Sequence, residues 1–64
     1  MDIVEGIIAP LVATLTAETG ETYNITRTVS DLKGIADDEG VTVSSMPVDF
    51  VEYVIRANAI RTAA

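Results

Sequence analysis

Residues 2–17 carry apolar side chains at a helical period: Val4, Ile8, Leu11, Val12 and Leu15 recur at three- and four-residue steps, and Ile3 and Ile7 widen the stripe. Asp2 and Glu5 fall in the first turn, where negative charge suits the helix dipole. Pro10 interrupts the pattern by removing a backbone donor, so the expectation is a kink, or an end near Ala9 followed by a restart. Glu18-Thr19-Gly20-Glu21-Thr22 reads as a turn. From there the period changes to two. Tyr23, Ile25, Arg27 and Val29 alternate with Thr22, Asn24, Thr26 and Thr28, which predicts a strand with one wet face. Ser30-Asp31 permits a turn, and Leu32–Ala36 is expected to pair back as a short strand. Asp37-Asp38-Glu39-Gly40 ahead of alternating Val41–Ser44 reads as a hairpin.

The last third supports two readings. As a helix capped by Ser45, residues 46–59 place Asp49, Glu52 and Arg56 on one stripe and Val48, Val51, Ile55 and Ala59 on the other. As a strand, Val51, Tyr53, Ile55 and Ala57 share a face, and the β-branched residues in 48–55 favour that form locally. The resulting expectation is a single small α+β domain over 1–64. It has an amphipathic helix at 2–17 and a small antiparallel sheet or incomplete barrel over 21–60. The C-terminal segment is taken as strand, with helix as the alternative.

Composition sharpens this. Val, Ile and Thr supply 23 of the 64 residues and Leu only three, which leans the chain towards strand. A chain this short buries only about 60% of its unfolded surface, so a lone core is marginal and association is a common remedy. There is no Cys and no His. Disulfides, thiolate or imidazole metal sites and a histidine base are therefore absent, and each catalytic template fails on inventory. Gly34 and Gly40 are isolated and Lys33 precedes its glycine, so no phosphate loop fits. The run at 37–39 lacks the alternating ligand spacing of a calcium loop and reads as a solvated turn. No enzyme activity, cofactor or metal is expected.

Ten acidic against four basic residues give a net charge of −6. Arg27, Lys33, Arg56 and Arg61 are dispersed, so direct nucleic-acid binding is not expected. The acidic start lacks the cations of a signal peptide, no apolar run approaches a membrane span, and no membrane contact is expected. Asn24-Ile25-Thr26 matches a glycosylation sequon without a secretory context. The candidate interaction surface is Ile3, Ile7, Ile8, Leu11 and Leu15 on the helix, with Phe50 and Tyr53 from the scarce aromatics.

Four segments carry a resemblance: Gly20–Arg27, Lys33–Asp37, Gly40–Ser45 and Tyr53–Ile60. In this order they resemble strands of the small tailed-phage head–tail joining proteins, the connectors or stoppers of the lambda type. Ala36 stands where that family often has Phe, and residues 46–52 depart from its spacing. The resemblance implies a structural virion protein, assembled in the host cytoplasm as a homo-oligomer with portal, capsid or tail partners. It implies no catalytic residues, and it implies further strands beyond Ala64, which neighbouring subunits are expected to supply. A capsid cement or minor tail protein, and an acidic inhibitor or DNA mimic, are the alternatives.

Overall fold

The structure is a computed structural model, and it describes residues 2–60. Helix α1 runs from Ile3 to Thr19. The Asp2 side chain caps it, accepting from the Val4 N–H at 2.8 Å. The helix passes through Pro10 without ending, so of the two expectations the end and restart near Ala9 does not occur. Pro10 and Gly6, whose carbonyl loses its helical partner, both face solvent, so water can satisfy the freed group. Ile8, Val12 and Leu15 are buried on either side of the proline and hold the two halves to the core. At the far end Gly20 takes φ 74°, and its N–H donates to the Thr16 carbonyl.

Two residues of strand β1, Thr22–Tyr23, lead into helix α2, Ile25–Glu39. The expected strand over 22–29 is thus extended only at its start, and Leu32–Ala36 is helical. The alternation at 23–29 also contains a helical series, since Thr28, Leu32 and Ala36 lie four apart and all three are buried. Local signals fix both ends. Asn24 accepts from the Arg27 N–H at 2.9 Å at the start. At the end Gly40 has φ 68°, its N–H reaches the Asp37 carbonyl and the Val41 N–H reaches Ala36, a Schellman closure. The acidic run read as a hairpin turn is therefore the last turn of α2. Thr28 is wholly buried, and its hydroxyl donates to the Asn24 carbonyl at 2.8 Å.

Val43–Ser45 form one turn of 3-10 helix in place of the expected strand at 41–44. Helix α3 follows over Val48–Ala57, so the C-terminal segment takes the helical alternative. It starts after Pro47, not Ser45, whose hydroxyl instead donates to the Thr42 carbonyl. Val51, Val54 and Ile55 face inward. Strand β2, Ala59–Ile60, closes antiparallel on β1, with Thr22 opposite Ile60 and Tyr23 opposite Ala59. The protein is thus mostly helical with one small two-stranded antiparallel sheet, and the described residues contain no incomplete barrel. Arg61, and any continuation of β2 beyond Ile60, lie outside the described residues.

The core is a single cluster in which Ile8, Leu32 and Ile55, one from each helix, are 0% exposed. Around them lie Val12, Leu15, Tyr23, Ala36, Val43, Val51 and Val54. Leu32→Ala is expected to cost about 3 kcal/mol, within the usual range for a buried leucine. That is a large share of the stability of so small a domain. Urea unfolding followed by circular dichroism should show the loss, while Ile3→Ala at the exposed end of α1 should stay within about 0.5 kcal/mol of the parent.

Candidate functional site

The packing of α2 against α3 leaves an open groove on their outer side. Its α2 wall is Ser30, Asp31, Gly34, Ile35 and Asp38; its α3 wall is Tyr53, Val54 and Ala57. The space measures about 440 Å³. The helical period explains the α2 wall, since residues three and four apart share a face. Short side chains at Ser30, Gly34 and Ala57 keep the groove open. Ile35 and Val54 form an apolar base continuous with the core, and Tyr53 stands 69% exposed at the edge. Asp31 is held in place, because one of its oxygens accepts from Asn58 Nδ2 at 3.1 Å. Asn58 is itself fixed: its side chain also donates to the Val54 carbonyl, and its own carbonyl accepts from the Asn24 N–H.

A second groove lies at the start of α1, lined by Asp2, Ile3, Val4, Ile7, Lys33, Thr42, Val43 and Ser44. Asp2 and Lys33 form an ion pair across it, the one ion pair among the described residues. The Lys33 ammonium, hydrogen-bonded to Asp2, and the Val4 N–H hold the Asp2 carboxyl below its ordinary value of 3.8.

The expected interaction residues divide. Ile8 and Leu15 are buried in the core and offer nothing to a partner, which corrects their place in the candidate surface. Leu11 is half-buried and packs against that core. Ile7 is half-buried in the second groove, and Ile3 beside it is 83% exposed. Phe50 and Tyr53 are both exposed on α3. The structure therefore does not gather the seven residues into one surface. Asp31, Gly34, Ile35, Asp38, Val54 and Ala57 form a surface outside the expected set. Their signal was available in the helical spacing of 31, 34/35 and 38, which a reading of this segment as strand scatters over two faces.

Among the described residues, no group of three or more carboxylates is placed to hold a metal ion, and no buried side-chain polar atom lacks a partner. No helix is long and apolar enough to cross a membrane. No protein family, curated protein or solved structure matches this chain.

The Asp2–Lys33 contact predicts a titration. A carboxyl whose folded value is depressed contributes stability that is fully present above its ordinary value and is lost as the pH falls through the lower, folded value. The side-chain carbon resonance of Asp2 should therefore titrate below 3.8, and Lys33→Met should move its midpoint up towards that value. An unchanged midpoint in the variant would remove Lys33 as the cause.

Proposed function

We propose that this protein is a non-catalytic interaction module that docks a helical segment of another protein into the α2–α3 groove. The observation that carries this reading is exposed Tyr53 at the α3 edge of the groove, beside the apolar base of Ile35 and Val54. An aromatic side chain left in water beside an apolar trough suits helix-in-groove recognition.

α2 and α3 are joined through residues 40–47, which include the 3-10 turn. The chemistry of α3 argues against a nucleic-acid role. Its exposed side chains include Val48, Asp49, Phe50 and Tyr53, with Arg56 as its only cation. A DNA-reading helix supplies cations to phosphates and polar forks to base edges.

A second reading keeps the chain as a repeating subunit of a virion, in the head–tail, cement or minor tail role. Exposed Ile3 beside the second groove favours it, as a contact between copies. The connector resemblance adds no fold support, because of the residues that carry it only Thr22, Tyr23, Ala59 and Ile60 are strand here. Sedimentation as a 6.8 kDa species at every concentration would remove this reading.

The docking reading is tested by titrating isotope-labelled protein with an uncharged amphipathic helical peptide. Amide shifts are expected at 30–38 and 53–57, with Tyr53→Ala weakening binding about tenfold or more. Tyr53→Ala should leave the unfolding midpoint nearly unchanged, since the side chain is exposed. Shifts confined to residues 2–7 and 42–44 would overturn the assignment of the groove.

A further inference from the structure

We propose that the α2–α3 groove takes a basic amphipathic helix, one with cations about seven residues apart on either side of an apolar centre. The inference rests on the docking reading above and names the chemistry of the partner.

Asp31 and Asp38 stand at the two ends of the α2 wall. Seven residues of helix separate them by about 10 Å along the axis. Neither is in an ion pair among the described residues, and Arg27, one turn before Asp31, lies beyond ion-pair distance. Asp31 is pre-oriented by Asn58. Asp38 belongs to Asp37-Asp38-Glu39 in the last turn of α2, which contains no basic residue. Helix carbonyls make that end partially negative, so carboxylates there are disfavoured by their own helix. A cation brought by a partner relieves that repulsion and faces a carboxylate at the same time. The groove is apolar between the two acids, so charge and apolar area together describe an amphipathic helix carrying Lys or Arg.

Gly34 is a separate observation. It sits inside α2, between Asp31 and Asp38, where glycine weakens a helix relative to alanine. Its φ is not positive, and a Cβ added there would meet nothing within 4 Å. The fold itself therefore gains nothing from its missing side chain. On the groove wall, the bare backbone lets a partner helix approach closely.

A second copy of the chain is a poor occupant. Each copy carries −6, and the described cations are only Arg27, Lys33 and Arg56, with Lys33 already paired. Bringing two such surfaces together is opposed by their own charge.

The test uses the full chain and three synthetic helical peptides with the same apolar face. They carry Lys, Gln or Glu at the two positions seven apart, and binding is read by fluorescence anisotropy. The Lys peptide should bind about tenfold tighter than the Gln peptide, and the Glu peptide weakest of all. The Lys advantage should shrink between about 50 and about 500 mM salt. Asp31→Asn and Asp38→Asn should each remove part of it. Gly34→Leu should weaken all three peptides with the fold intact, while Gly34→Ala should raise the Tm by about 4–8 °C. Equal binding of the Lys and Gln peptides in the groove would overturn the basic-partner inference and leave the docking reading standing. Absence of any peptide from the groove would overturn both. Self-association that covers Tyr53 and Gly34 would make a second copy the occupant and overturn this proposal as well.

Discussion

The fold depends on one meeting point. Ile8, Leu32 and Ile55 each come from a different helix, and each is completely removed from water. None of the three helices can bury its apolar stripe alone, so each supplies the others' missing surface. The remaining core residues extend that contact along the helices: Val12 and Leu15 down α1, Ala36 down α2, Val51 and Val54 along α3. A domain of this size has little apolar surface to bury, so helix formation and the three-way contact depend on each other.

The clasp between β1 and β2 does a different job. It is only two residues long on each side, too little to be stable by itself. Its role is to fix the exit of α3 against the entry to α2. The Asn24 N–H donates to the Asn58 carbonyl, and the Asn58 side chain reaches both α3 and Asp31. Asn24 also caps α2. Two asparagines thus join the clasp to the groove. The wall that carries Asp31 is set by the same hydrogen bonds that close the fold.

Residues 25–39 show how a strand-like pattern can lie on a helical segment. Over residues 23–36 the β-branched and alternating pattern suggested strands, yet Thr28, Leu32 and Ala36 form a buried helical stripe. Intrinsic preference is worth tenths of a kcal/mol per residue and is readily overridden by packing. The local signals that agree with a helix are at its ends: Asn24 as an N-cap, and Gly40 as a left-handed stop sixteen residues on. Gly40 suits a hairpin equally well, because a turn glycine and a helix-stop glycine use the same left-handed conformation. For Ile8 and Leu15, the period of the stripe does not say whether the chain itself or another molecule covers it.

The sequence by itself determined that α1 is a helix begun at Asp2, that His and Cys chemistry is excluded, and that the molecule is strongly acidic. These follow from local periodicity and from counting residues, neither of which needs a neighbour. Tertiary structure decided that residues 25–39 and 48–57 are helices, because only packing against Ile8 and its neighbours makes their inward stripes worth forming. It also decided which apolar residues remain available. Ile3, Phe50 and Tyr53 are exposed while Ile8 and Leu15 are not, since burial depends on what lies across the core and not on the residue's own hydrophobicity.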